Sequence, residues 1–480
     1  MAELKIISVV MAAGASTRMR SPLSKLLHPL LGYSIIERAW NQASFISSDV
    51  CMIIGHQRDE IKKSLEAYWQ ASGHLEGKKC HWVVQDPPLG TGDALKKALS
   101  ILEKESDEAQ VFIMGGDAVL LRPTTLKDFF QNHFQTKSVL SFLSAHFQPN
   151  NSYGRVVRDS QGNVLKIVEA KNASPEQLQI TEINAGFYLC SLGLLREAIS
   201  KITANAKTAE FYLTDAIEYA RGQNLLVTAA VLMDATESLG INNQEDLFMA
   251  RRVLQNRINQ RWMIEGVRMD DPSSTWIDEA VEIDVPAHLE MGVQLRGHTK
   301  IQSGVRVGSY SIVEDSVLAA DSVIEAFSHL KQAQVGAESQ VGPFARLRAG
   351  TNLAEKVKIG NFVEVKKSSF ARGAKANHLS YIGDTQIGED SNIGAGTITC
   401  NYDGYDKHKT LIGKNVFIGS NSSLVAPVEL GDGAVVGAGS VITANLPAHS
   451  LGLARSDQKV LNEGGKKFRE KRQKSSKFES

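Results

Sequence analysis

Two groups of residues in this sequence have the types and the spacing to do chemistry. The first begins after the apolar run Ile6 to Met11, where Ala12, Ala13 and Gly14 are followed by Arg18 and Lys25. Small residues let the backbone approach a ligand closely enough for its N–H groups to cradle phosphate, and the two cations would neutralise a triphosphate. The pattern GxxxxGK[ST] is absent, so this is no Walker loop, and taken alone the segment reads equally as a strand-to-helix turn. The second group is a polar set, Arg348, Glu364, Lys366, His378, Tyr381, Asn392, Asn401, Tyr402 and Lys407, embedded in a stretch otherwise rich in aliphatic residues and glycine. Histidine ordinarily titrates at about pH 6.5, so His378 is the natural proton acceptor of the set, with Glu364 expected to orient its ring or raise its basicity. Cys400 lies beside them and reads as a small loop residue rather than a nucleophile. A solvated face with a structural histidine is the plain alternative for any one of these residues.

Periodicity supplies the elements that must hold these groups. Ile6 to Met11, Val50 to Ile54, Trp82 to Gln85 and Val111 to Met114 read as buried strands, with helices over Ile35 to Ala43 and Thr124 to His133. That alternation gives an α/β, Rossmann-like unit: a mostly parallel sheet covered by helices, with ligands beyond the carboxyl ends of its strands. Ala12-Ala13-Gly14, Gly90-Thr91-Gly92 and Gly116-Asp117 all fall at such ends. From Asn243 to Glu265, Leu247, Leu254, Ile258 and Trp262 recur at helical spacing, which predicts a long connecting helix. Beyond it the period changes to six. Ile412, Ile418, Leu424, Leu430, Val436 and Ile442 follow it, as do Val335 to Val365 and Leu289 to Val313. This is the mark of a hexapeptide parallel β-helix, whose aliphatic residues point inward and whose coils need stacking to bury them. Thr399 to Thr410 breaks the repeat and is expected as a loop leaving the coil. Lys466 to Ser480, rich in lysine, arginine and serine, is expected as a solvated, disordered tail.

Bulk properties narrow the partners. The 480 residues exceed what one core holds, so two or three domains are expected. Lysine plus arginine equals aspartate plus glutamate, 53 each, which leaves no overall field for nucleic acid or a membrane surface. The four cysteines, Cys51, Cys80, Cys190 and Cys400, form no CxxC pair and no disulfide framework. With no signal-peptide pattern at the start, this points to a cytoplasmic protein acting on small molecules.

Met11 to Met19 with Lys25 is similar to the signature of sugar-nucleotide pyrophosphorylases. Gln85, Leu89-Gly90-Thr91-Gly92, Gly116-Asp117, Tyr153-Gly154-Arg155, Val168-Glu169, Ile183 to Gly186 and Gly240 to Asn243 follow in that family's order. Gly342 to Arg348, Gly360 to Lys366, His378 to Tyr381 and Asn392 to Gly404 match a second set. Over residues 5 to 456 the chain resembles the bacterial family of bifunctional N-acetylglucosamine-1-phosphate uridyltransferase/glucosamine-1-phosphate acetyltransferases. The resemblance implies a uridyltransferase domain over 1–242, a linker helix over 243–265, a left-handed β-helix acetyltransferase domain over 266–456 and the basic tail over 457–480.

It also implies roles. UTP and acetyl-CoA are the implied co-substrates, with Mg²⁺ held by Asp117 and Asn242. Ala12, Ala13 and Gly14 would form the nucleotide loop, Arg18 and Lys25 would steady the phosphates, Gln85, Gly90 and Thr91 would contact uracil, and Gly154, Glu169 and Asn184 would hold the N-acetylglucosamine part. At the second site Arg348 and Lys366 would clamp the phosphate of glucosamine-1-phosphate, Tyr381 and Asn392 would fix the sugar, and His378 would take the ammonium proton. Ala395, Asn401, Tyr402, Ser420, Ala438 and Arg455 would contact coenzyme A, with Lys407 on the loop that reaches it. A backbone N–H near Ala395 or the Tyr402 side chain is expected to hold the oxyanion. Family members form trimers, so a homotrimer is implied. The sequence departs from the family at Ser16 (glycine), Ser24 (proline), Gly115 (tyrosine) and Ala118-Val119 (Val-Pro), which leaves the rigidity and fine selectivity of the first site open, and at Ser456-Asp457 (Val-Pro), which leaves the path of the tail open. A pyrophosphorylase with a regulatory β-helix and a non-catalytic scaffold are the alternatives.

Overall fold

Ile6–Ala12 is the central strand of the first half because its side chains meet apolar layers on both faces: Val10 and Ala12 pack into one, Ile7 and Val9 into the other. This is the period of two expected of a strand covered on both sides. Ser8, the polar exception, donates to the Ala43 carbonyl at 2.9 Å. The computed structural model describes residues 4–149 and 151–475. Across the sheet the order is Val227–Val231, Leu140–His146, Glu182–Ser191, Gln110–Gly115, Ile6–Ala12, Asp49–Ile54, Lys79–Val84. Neighbours run parallel except Glu182–Ser191, which is antiparallel to both of its own. The edge strand starts at Lys79, earlier than its apolar run, because backbone pairing to Asp49 needs no apolar side chain. Local signals start the helices: a Ser34/Glu37 capping box opens Ile35–Ile46, and Pro123 opens Pro123–Thr136.

The second half is a left-handed parallel β-helix of three sheets with eleven, ten and nine short strands. Strand partners lie one coil apart, as in Arg346↔Glu364 and Asn361↔His378. The aliphatic residues of the six-residue repeat point inward: from Leu289 to Ile442 none of those named above is more than 4% exposed. Each contributes about 1.5–3 kcal/mol by leaving water. Asn392 pairs with Phe417 rather than with a residue one ordinary coil on, because the segment between Cys400 and Thr410 leaves the helix as a loop.

The helix expected between the two halves spans Gln244–Glu265, and the chain divides into two compact units within it, at Ile258/Asn259. The reason is that Arg257 Nη1 donates to the Leu120 carbonyl of the first unit, whereas Asn259 Nδ2 donates to the Pro272 and Thr275 carbonyls of the second at 2.7 and 3.0 Å. The tail is not disordered throughout: Gly464–Ser475 is a helix. Lysine, arginine, glutamate and glutamine are good helix formers whatever their solubility; the last residues of that expectation lie outside the described ones.

Candidate active sites

The first site assembles at the carboxyl ends of the central strands. Ile6–Ala12 leads into Ala13, Gly14 and the turn Thr17–Met19 that carries Arg18, and Gln110–Gly115 leads into Asp117. Gly116 N donates to the Met11 carbonyl at 2.9 Å and Ile241 N to the Asp117 carbonyl at 3.1 Å, which locks the three segments together. Ala12 and Ala13 are buried, while a side chain begun at Gly14 would meet nothing within 4 Å, so the loop is open there. Lys25 Nζ donates to Asp117 Oδ2 and, at 3.0 Å, to Asn242 Oδ1, which also accepts from Arg18 Nη2 at 3.0 Å. Carboxylate and amide oxygens thus already converge on one cation. Both are hard donors, which suits Mg²⁺. Among the described residues no group of three or more His, Cys, Asp or Glu side chains forms a metal cage, so an ion on Asp117 and Asn242 needs phosphate and water oxygens to complete its shell.

Beside this cluster lies a cavity of 250 Å³ bordered by Thr91, Asp117, Gly154, Glu169, Asn184 and Asn242. Asn184 is held by Nδ2 donating to the Tyr188 hydroxyl at 2.6 Å and by Gly186 N donating to its Oδ1 at 3.1 Å. Burial pushes the Glu169 carboxyl above the ordinary range, partly offset by Thr214 Oγ1, which donates to it at 3.1 Å. Buried Gln85 donates to the Gly90 carbonyl at 2.9 Å and to Asp93 Oδ2 at 2.8 Å, and Leu213 N donates to Thr91 Oγ1 at 2.9 Å. Gln85 and Gly90 therefore stand beside the cavity through Thr91 rather than lining it. Thr214 escaped the sequence reading because only its partner, 45 residues back, gives it a role.

Three of the departures from the family pattern, Ser16, Ser24 and Gly115, are accommodated in place. Ser16 stands at φ 58, a left-handed conformation that glycine adopts more freely. Its hydroxyl accepts from Lys25 N at 3.3 Å and donates to the Gly14 carbonyl at 3.4 Å, tying the loop to the lysine. Ser24 has an N–H that proline lacks, and it donates to Gln57 Oε1 at 2.6 Å while Gln57 Nε2 donates to the Pro22 carbonyl at 2.7 Å. At Gly115 a Cβ would stand 2.8 Å from Asp117 Oδ1, so in this backbone only glycine leaves the carboxylate where it is.

The second site lies across two adjoining faces of the β-helix. Glu364–Lys366 and Tyr381–Gly383 are neighbours on one, with Glu364 opposite Tyr381; Lys358–Asn361 and Lys375–His378 are neighbours on the other, with Asn361 opposite His378. Asn392 follows in register with Lys375. Gly360 makes close stacking possible, since a Cβ there would overlap the Asn377 carbonyl. Arg348 Nη1 donates to Glu364 Oε1 at 2.8 Å. The Lys407 ammonium beside it, with Arg348 nearby, holds Lys366 below the usual lysine range. Three cations therefore gather with two carboxylates near them, Glu364 on Arg348 and Asp384 within reach of Lys366, a net positive arrangement suited to a phosphate.

One expected role is corrected here, and three further side chains are placed. Glu364 does not orient His378: it pairs with Arg348, and His378 Nδ1 lies 2.7 Å from Asn361 Oδ1 instead. The Tyr402 hydroxyl donates to the Gly404 carbonyl at 2.6 Å. Lys407 stands against Lys366, on the loop between Cys400 and Thr410. Asn401 is 6% exposed, with Nδ2 donating to Asp384 Oδ2 at 2.6 Å, and so supports the loop from within. The loop itself is closed by Asp403, whose oxygens accept from Tyr405 N, Asp406 N and His408 at 2.7–2.8 Å. Arg455 Nη1 donates to the Ala438 carbonyl at 2.8 Å, Gly439 N to Ser420 at 2.8 Å and Asn421 N to Ala395 at 2.7 Å, so Ala395, Ser420, Ala438 and Arg455 make one ridge along successive coils.

Residues 7–278 match the nucleotidyl transferase family and residues 409–444 the hexapeptide repeat of succinyl-transferase. Fold and sites thus define a nucleotidyltransferase joined to a hexapeptide-repeat β-helix. At full length the chain is 40% identical over 455 residues to the bifunctional protein GlmU of Stutzerimonas stutzeri, covering 95% of this chain and 97% of that one. It is 38% identical over 454 residues, 95% of each chain, to that of Alkalilimnicola ehrlichii. The chain belongs to the GlmU family of bifunctional proteins.

Proposed function

We propose that the chain makes UDP-N-acetylglucosamine in two steps: acetyl transfer from acetyl-CoA to glucosamine-1-phosphate on the β-helix, then uridylyl transfer from UTP in the α/β unit. The observation that carries this reading is that one chain assembles both clusters, each from its own unit. In the second step a sugar-phosphate oxygen attacks the α-phosphorus of UTP, the new P–O bond forms and the bond to pyrophosphate breaks. The nucleophile is already anionic, so alignment and charge neutralisation suffice. Lys25 and Arg18 turn from Asp117 and Asn242 to the triphosphate, which frees two oxygens for Mg²⁺. The ion supplies charge neutralisation at the phosphates when bound. Glu169 and Asn184 orient the sugar.

In the first step Arg348, Lys366 and Lys407 hold the sugar phosphate, and His378 takes the ammonium proton. The amine attacks the thioester carbonyl, the C–N bond forms, the C–S bond breaks, and the proton passes to the departing sulfur. The ridge Ala395–Ser420–Ala438–Arg455 spans three strand spacings, about 14 Å. Its small residues fit an extended thiol arm and its arginine a phosphate. A purified-protein assay with glucosamine-1-phosphate, acetyl-CoA, UTP and Mg²⁺, following free thiol and pyrophosphate separately, tests the whole reading. Release of both is expected. Pyrophosphate only when N-acetylglucosamine-1-phosphate is supplied would favour the regulatory β-helix instead.

The working form is a homotrimer in the cytoplasm. No described helix is long and apolar enough to cross a membrane, and all four cysteines are free, as suits a reducing compartment. Tyr310, Phe327, Phe344 and Phe362 stack in one ladder with ring centroids 5.0–5.6 Å apart, each about half exposed, and the next coil continues it with exposed Leu379 beside His378. An apolar ladder of this kind running into a catalytic cluster is what a second copy would cover. Phe344→Glu is expected to lower the mass in light scattering from three times 52.3 kDa to that of one chain. Thiol release should fall with it while pyrophosphate release persists.

A further inference from the structure

We propose that Asn361 is the residue that positions His378 for proton transfer; the proposal deepens the acetyl-transfer reading and rests on it. Strands Lys358–Asn361 and Lys375–His378 pair in parallel with Asn361 and His378 in register, which puts both side chains on one face of the coil. Asn361 Oδ1 lies 2.7 Å from His378 Nδ1. An amide oxygen only accepts, so Nδ1 carries the hydrogen and Nε2 keeps the lone pair. That tautomer is the one able to take a proton from the substrate ammonium at Nε2.

The surroundings leave this duty to Asn361. The His378 backbone is fixed independently, its carbonyl accepting from Ser380 Oγ at 2.9 Å and Gly396 N at 3.3 Å. The exposed ring still has its torsions free, and Asn361 is what restrains them. Glu364 is engaged by Arg348 and does not compete. A neutral acceptor also suits the second half of the cycle. A carboxylate against the ring would stabilise the imidazolium, whereas the amide orients the ring without holding the proton that the leaving sulfur must receive.

The test uses the full-length protein and the separate thiol and pyrophosphate assays. Asn361→Ala should lower kcat for acetyl transfer about 10²-fold with the KM of both substrates little changed, because it removes an interaction that matters in the transition state. Unchanged KM values show that the site is still built. Asn361→Asp, which still accepts from Nδ1–H but holds the imidazolium proton more tightly, should recover part of that kcat. Wild-type kcat in Asn361→Ala, a loss confined to KM, or an aspartate variant no better than alanine would each overturn the proposal. His378→Ala, run alongside, separates the two claims. If it keeps acetyl transfer, the general-base reading itself falls; if it is inactive while Asn361→Ala is intact, only the positioning role falls.

Discussion

His378→Ala is expected to slow acetyl transfer by about 10²–10⁴-fold, roughly 3–5 kcal/mol in the barrier, and to leave uridylyl transfer unchanged. The size follows from what the reaction needs. A sugar amine at neutral pH is an ammonium, and attack on a thioester requires it to lose a proton first. No other member of the cluster can take that proton as well. Glu364 is committed to Arg348 at 2.8 Å, and Lys366 and Lys407 are themselves donors. His378 is exposed, so trimming it should change stability by no more than about 0.5 kcal/mol. The loss should appear in kcat rather than in the KM of acetyl-CoA, since the ridge from Ala395 to Arg455 does not pass through the ring. Thiol release and pyrophosphate release measured on one preparation check this directly. Loss of both in a folded protein would mean that the two sites are not independent.

How much of this was legible in the sequence depends on the distance over which each feature is determined. Inward-facing residues of the β-helix are set by a six-residue pattern, so Val335 to Val365 and Ile412 to Ile442 could be read directly, and all are buried. The central strands were legible for the same reason, as apolar runs with helices between them. Partners one coil apart were not. The repeat shows which residues point out, yet whether His378 meets Glu364 or Asn361 depends on strand register, which no short window contains. Thr214 behind Glu169 is the same case across a loop. The departures at Ser16 and Ser24 looked like losses of rigidity because the groups that replace it, the Lys25 N–H and the Gln57 amide, are remote in sequence or belong to the backbone. The linking helix was legible to within a residue at both ends, because helical spacing marks where a helix runs; where the division between the two units falls within it depends on what each turn packs against, a tertiary matter.

Asp117→Ala carries the opposite expectation: pyrophosphate release falls about 10³-fold or more while thiol release is untouched. Asp117 is one of two side-chain oxygens that converge on the Lys25 ammonium, and the only one bearing charge. Without it Asn242 alone cannot hold a divalent ion at useful concentrations. The cations that meet the triphosphate remain, however, and are no longer neutralised by a carboxylate. UTP should therefore bind at least as well, and the defect should lie in kcat with the KM for UTP unchanged or lowered. That split distinguishes loss of a metal ligand from collapse of the loop, which would raise KM through Arg18 and Lys25. Asp117→Asn, which keeps the shape and removes the charge, should behave like the alanine variant. Treating the wild-type protein with EDTA should reproduce the defect, because chelation and substitution remove the same neutralising charge from opposite sides. If chelation abolished pyrophosphate release but Asp117→Asn did not, the ion would have to be held by phosphate and Asn242 without the carboxylate, and Asp117 would be left as the counter-ion that keeps Lys25 in place.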